Sequence, residues 1–572
     1  VKPEGAKEFT PRAIGAGMVV AVIMGASYPY IVLKLGFGPN VSVVAAILGY
    51  LMLAVLFRRR DFTRWENNIV QTAGTSASQT AFMCILLAAF DLLRQSHTVH
   101  FDFAPTPWQS FLWLAAASIL GLLLAVPLRR HFIVDEKLTY ADGVAAGETI
   151  IVLDSRGPEA RDAARYLLVG AIVSAVLWCL TQDKLHGPIP ETLLPTFFGL
   201  AYAGMSAGFS VSLLSIGSGM IVGNRINVSM AIGSLISWVV GPHILLEYAR
   251  IAAPVRSQVI YWVMWPATGM LIAGGLTALV FRWNVLVRTF KSLSADSLRG
   301  GEFPLRWVAI GVGLATLALV LIQRAYFGVA VWLTLISVAL ALPLMLVGLR
   351  VLGETNWGPI SQISNMMQAL FAGLAPGNLM VNMGTSGTTG TIATSSEAIM
   401  QDYKVGDMIG STPKYLTYMQ ILAAPIGAAV VAYLYPVLRA TYGVGGDGGL
   451  SAPASVRWQG FAELLAGGIA SLPPDRIYAF VIGCVVGIVL TLLEQKYKTW
   501  TPSPTGLGIG MLVPGSVVFT MVLGGFLQKL WQRADPRRAD KLGTPLASGL
   551  IAGEAIAAVV VAIVVFTLEQ AH

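Results

Sequence analysis

The chain has 572 residues, of which 55% are hydrophobic and only 12% charged, and its mean hydropathy is +0.69. Soluble domains carry about a quarter charged residues, so an ordinary cytosolic enzyme is excluded, and repeated apolar runs near twenty residues define a polytopic membrane protein. The net charge of +8 shows no basic-aromatic patch, so lysines and arginines read as topology signals and no nucleic-acid partner is expected.

In chain order, apolar runs predict spans over 14–35, 40–57, 79–93, 108–128, 164–180, 195–222, 226–246 and 258–281. After a polar connection at 282–302 they resume over 305–322, 329–347, 362–379, 416–437, 477–493, an interrupted stretch 505–530, and 545–568. The expected fold class is all-α: a polytopic membrane helix bundle of about 15–16 spans with broken or re-entrant helices. The Gly25-Ala26-Ser27 triplet could mimic a signal-peptidase site, but the apolar run continues to Leu35 and reads as a retained first helix. The three cysteines, Cys84, Cys179 and Cys484, lie far apart in apolar runs and suggest packing rather than disulfides or a metal site.

In the first half the basic residues, among them Arg58 to Arg60, Arg129, Arg130 and Lys137, fall on one side, which places the N-terminus in the cytoplasm. Arg533, Arg537, Arg538 and Lys541 fall outside by simple counting, a conflict that a re-entrant second-half segment would relieve. Short loops fit a bacterial inner membrane.

Three motifs recur in the same order. Gly74-Thr75-Ser76 matches Gly384-Thr385-Ser386; Gly217-x-Gly219-Met220 with Ser229-Met230-x-x-Gly233 matches Gly508-x-Gly510-Met511 with Thr520-Met521-x-x-Gly524; Thr268-Gly269 to Gly274 matches Ser548-Gly549 to Gly553. Two tandem repeats are therefore expected, residues 1–300 and 301–572. An even number of spans in each would make them parallel, and their broken segments point to a binding site.

The polar stretch from Glu66 to Thr80 and its counterpart from Asn365 to Ser396 cannot face lipid, so they must line protein or a water-filled cavity. Asn68, Gln71, Thr72, Ser76, Tyr140, Asn382, Thr385 and Ser386 are the candidate solute contacts, because amides and hydroxyls present donors and acceptors to a polar solute. Ionisable residues within spans are costly, which makes Glu148, Glu397 and Glu554, then Asp402, the candidates for proton coupling or site electrostatics. No Walker-type loop or ligand-spaced histidine set is present, so neither an ATP-driven pump nor a resident metal or other cofactor is expected.

A reading of another class is an intramembrane serine hydrolase. Gly204-Met205-Ser206-Ala207-Gly208 has nucleophile-elbow spacing, and His243 follows one span later. The copy lies in an apolar run rich in small residues, where helix packing is the simpler role.

The Glu66 to Thr72 stretch, Leu138-Thr139-Tyr140-Ala141-Asp142-Gly143, the Gly217 to Arg225 stretch, Gln401-Asp402-Tyr403-Lys404-Val405-Gly406 with Gly410, Pro413 and Gln420, and Ser548 to Glu554 together resemble the oligopeptide transporter family, which includes the yellow stripe-like metal-chelate carriers and bacterial members. The resemblance extends over nearly the whole chain. It implies a duplicated bundle of about sixteen helices that imports peptides, peptide-like compounds or metal chelates, driven by protons. Ser78 stands where the family pattern has an acid, and Ala141 where it has proline. The expected function is a secondary active carrier, a proton symporter for short peptides or peptide-like compounds, with metal-chelate uptake as the alternative within the family. Its partners are the solute, protons and the lipid bilayer; no oligomeric state is legible.

Overall fold

The computed structural model describes residues 6–571 apart from 37, 39–40, 57–61, 97, 155–157, 183–186, 194–207, 282–302, 356–357, 359, 446–448, 468–473 and 498–499. Among the described residues it is helical apart from one two-residue strand pair, and 11 helices are long and apolar enough to cross a membrane. The protein is an all-α polytopic membrane bundle.

Helix α1 (Pro11–Leu35) begins where the Thr10 hydroxyl accepts from the Ala13 amide and Pro11 presets φ; it ends at Gly36, whose φ of 80° suits glycine. After α2 (Val41–Leu56), α3 (Arg64–Ala81) starts with a Thr63–Glu66 capping box. Arg12 meets Glu66 at 2.7 Å, so α1 and α3 rise from one face of the bundle, here the near face. A turn leads α3 into α4 (Cys84–Arg94), making one 31-residue span of what the sequence divides into a polar lining and a separate helix.

The first half continues through α5 (Pro107–Ala125), α6 (Ala141–Asp154), α7 (Pro158–Thr181), the short α8 (Leu213–Val222), α9 (Asn224–Leu235) with its extension α10 (Gly241–Glu247), and α11 (Arg256–Phe281). The second half has α12 (Leu305–Tyr326), α13 (Val331–Thr355), α14 (Ile360–Leu374), α15 (Leu379–Ile409), α16 (Pro413–Tyr442), α17 (Pro453–Gly467), α18 (Pro474–Lys496), α19 (Pro504–Leu512), α20 (Gly515–Ala534) and α21 (Pro536–Ala571). Two expected spans differ. Of 195–222 only the strand Phe209–Ser210 and the ten-residue α8 are described, and 505–530 breaks at Val513 and Pro514 into α19 and α20. Conversely, α15 was hidden by its Gly, Ser and Thr content: it is a buried 31-residue helix running back to the near face, where the Trp65 indole donates to the Ile409 carbonyl at 3.0 Å.

The two halves interlock through glycines at matching positions. A Cβ on Gly219 would collide with the Met521 carbonyl and one on Gly510 with the Met230 carbonyl; Gly524 meets Ile216 as Gly233 meets Leu507. Likewise α7 lies along α21, with Gly170 on Leu546 and Gly549 on Leu167, while α18 lies along α11, with Gly483 on Pro266 and Gly269 on Phe480. Both pairs are parallel within themselves, but they point opposite ways. Helix α16 starts at the near face, where the Thr412 amide donates to Glu8, and at its far end the Tyr442 hydroxyl donates to the Ala558 carbonyl of α21. Helix α11 instead starts at the far end, where Arg256 reaches the Ser451 carbonyl and Ser451 reaches that of Lys34.

The matching segments therefore run in opposite directions. Parallel repeats would require an even number of spans in each half, a condition that segments turning back within the bundle do not meet. The opposed directions also place Arg533, in the last turn of α20, and Arg537, Arg538 and Lys541, at the start of α21, at the near face, and remove the charge conflict. At the foot of α5, Glu136 joins Arg350 of α13 at 2.9 Å and His131 at 3.3 Å.

Candidate functional site

A cavity of about 180 Å³ opens between α1, α7, α11, α16 and α20 toward the far face. Tyr30, Trp178 and Tyr442 wall it, with Tyr30 edge-on to Tyr442 at 5.7 Å between ring centroids. The Trp178 indole donates to the Tyr30 hydroxyl at 3.2 Å, fixing two of the rings. Lys34 and Arg256 bring positive charge to the lining, and Glu191 brings negative charge. Rigid rings with a few fixed polar groups of both signs are what a compact, charged organic solute requires.

The base of this cavity is a broken-helix site. Ser212 caps α8, its hydroxyl accepting from the Ser215 amide while donating to both Glu554 oxygens at 2.9 Å. Glu554 also accepts the Leu214 amide at 2.9 Å and the Lys34 ammonium at 2.7 Å. Its charge is thus held by a helix N-terminus and by a cation, the arrangement half-helices use to bind anions inside membranes. Ser503 caps α19 in the same manner, but Gly275, not an acid, stands at the corresponding place on α11.

A second polar network joins the halves between α3, α15 and α16. Gln71 donates to Asp402 Oδ1 at 2.7 Å and Gln420 donates to Oδ2; Gln71 also donates to Thr75 at 2.8 Å. Asn68 donates to Ser411 at 2.8 Å, and Ser76 reaches the Gln420 carbonyl at 3.3 Å. Asp402 is fully buried, with no cation beside it among the described residues. The Thr72 hydroxyl and the side-chain carbonyl oxygens of Asn68, Gln71 and Gln420 have no partner among the described residues.

The remaining expected contacts do not converge with these four. The buried Tyr140 hydroxyl donates to the Leu349 carbonyl at 3.0 Å. Asn382 donates to the Gln368 carbonyl at 2.7 Å, while Thr385 and Ser386 turn back to the carbonyls of Val381 and Met383 on their own helix. Glu397 is buried on α15. Glu148 is not a buried acid as its apolar context suggested: α6 turns Gly143 and Gly147 against Gln401 and Met408, which leaves Glu148 exposed on the other side. Ser206 lies outside the described residues, and His243 is exposed on α10. Sequence reasoning missed Tyr30, Lys34, Trp178, Ser212 and Arg256. Only Lys34, a cation closing an apolar run, carried a signal.

Inverted segments, broken helices and a charged cavity inside a lipid-facing bundle define a membrane transporter. The chain belongs to the oligopeptide transporter family: the family model described as OPT oligopeptide transporter protein matches residues 8–565. It is 25% identical to a probable metal-nicotianamine transporter of Oryza sativa subsp. japonica, over 94% of this chain and 89% of that one. It is 24% identical to the iron-phytosiderophore transporter yellow stripe 1 of Zea mays, over 94% and 88% of the two chains, and 24% identical to a metal-nicotianamine transporter of Arabidopsis thaliana, over 97% and 93%. The family sets aside the hydrolase built on Ser206 and His243; the chain is a transporter of small molecules, not an enzyme.

Proposed function

We propose that this protein is a proton-driven carrier that imports metal chelates of the amino-carboxylate class. The single observation that carries the reading is the far cavity, where Arg256 and Lys34, the latter paired with Glu554, stand beside three aromatic rings. A chelate brings its own metal ligands, so the protein needs to recognise only the organic shell, with cations for its carboxylates and rings for its carbon framework. The metal chelates for which the relatives are named favour this choice over short peptides, which the sequence alone put first.

In this reading the two oppositely directed halves, residues 1–300 and 301–572, rock about their interlocked glycines and expose the solute alternately to each side. Asp402 carries the proton, since it is buried between the halves and held by neutral amides that tolerate either protonation state. Asn68, Gln71, Thr72 and Ser76 line the same passage. Glu397 and Glu554 set the electrostatics of the solute path, and exposed Glu148 drops out of the coupling set. The near face, rich in arginine and lysine, faces the cytoplasm.

The test is uptake into proteoliposomes under an inward proton gradient, comparing nickel–nicotianamine with a short-peptide library, with and without an uncoupler. Gradient-dependent accumulation of the chelate is expected. Accumulation of peptides alone would transfer the function to that class, and chelate uptake insensitive to the uncoupler would remove the proton.

A further inference from the structure

Two buried ionisable side chains, an acid and a base, lie without an ion-pair partner among the described residues beside the start of α14. The Glu397 carboxyl group of α15, 7% exposed, lies against Gly358, and its Oε1 atom has no partner among the described residues. Three residues further on, Ser361 in the first turn of α14 accepts from Arg457 of α17, which is 6% exposed and whose Nε has no partner. Neither charge forms an ion pair among the described residues. Around them the Ser364 hydroxyl and the Trp458 indole N–H are buried without partners, and Gly390 of α15 packs on both side chains.

Burying an acid and a base unpaired is costly, and a purely structural role would bring them together. Held apart, they fit an object with a cationic end and an anionic end. We infer that Glu397 and Arg457 form a second solute station, which grips a zwitterionic amino-carboxylate by its ammonium group at Glu397 and by a carboxylate at Arg457 and Ser361. Arg457 follows Ser451, which lines the far cavity, by less than two turns of chain, so the station is proposed to lie next to the first one. It rests on the carrier reading above and adds to it a charge-reading step distinct from Lys34 and Arg256.

The test uses the purified full chain in detergent and measures binding by calorimetry, with metal-free nicotianamine and its trimethyl ester as probes. The ester keeps the amines and lacks the anionic carboxylates. Arg457→Gln is expected to weaken nicotianamine at least tenfold and leave the ester unchanged; Glu397→Gln is expected to weaken both alike. Arg457→Lys, which keeps the charge, gives a smaller loss confined to the acid and serves where the glutamine variant fails to fold. Unchanged binding in both glutamine variants, equal loss of acid and ester in Arg457→Gln, or no binding by the unmodified protein would overturn the station. Binding with this pattern but no uptake in liposomes would instead overturn the carrier reading and leave the station standing.

Discussion

Gln71 of the first half donates to Asp402 of the second at 2.7 Å, so the buried acid is held across the interface that must open if the halves move. Gln420 holds its other oxygen. Asp402→Asn keeps the shape and removes the titratable proton. Accumulation driven by the proton gradient should fall at least tenfold, while exchange of labelled for unlabelled solute in the absence of a gradient persists. Wild-type accumulation in the variant would remove Asp402 from coupling.

The ion pair between Lys34 and Glu554 predicts a stability pattern. Removing one partner leaves the other charge buried, at a cost of about 3–5 kcal/mol, whereas removing both is cheaper. Lys34→Met and Glu554→Gln should each lower the melting temperature, and the double variant should recover part of the loss. The Ser212 hydroxyl and the Leu214 amide still hold a neutral glutamine at 554, so Glu554→Gln should be the milder single change. Additive losses in thermal melts would mean that the pair contributes nothing of its own.

How far the sequence reveals this architecture depends on what each segment buries. Apolar helices such as α11 and α21 announce themselves by hydropathy, and their recurring glycines disclose the duplication because close backbone packing needs them. Helix α15 is concealed for the opposite reason: its Thr and Ser hydroxyls bond back to carbonyls four residues earlier, as Thr388 does to Gly384, so a polar sequence makes a buried helix. The direction of the repeats depends on whether a broken segment crosses or turns back, which composition does not encode. Gln71 and Asp402 are 331 residues apart and were legible singly as polar groups in a membrane. Their meeting, like that of Lys34 with Glu554, is a product of the interlocked halves.

The glycine contacts yield a matched set of substitutions. Gly219→Ala and Gly510→Ala each force a methyl group onto a backbone carbonyl, that of Met521 and of Met230, and backbone cannot swing aside as a side chain can. Each should destabilise the protein by about 1–3 kcal/mol. Gly15→Ala meets nothing within 4 Å and should be neutral or slightly stabilising through helix propensity. Equal melting temperatures for all three variants would refute the close packing of the repeats.

The cluster at the foot of α5 gives a dependence on pH. Burial pushes the His131 pKa below its ordinary 6.5; Arg350 acts in the same direction, while Glu136 and Asp135 act against it without prevailing. The folded protein therefore binds this proton less readily than the unfolded chain, and the difference favours folding fully above about pH 6.5 and is lost progressively as the pH falls through the lowered value. Melting temperature should decline on acidification through that window. His131→Gln, which does not titrate, should flatten that part of the profile while the carboxylates retain theirs at lower pH. If the decline between pH 6.5 and 5.5 is identical in His131→Gln, the loss arises elsewhere and His131 is merely a packed ring against Phe132, whose ring centroid is 4.9 Å away.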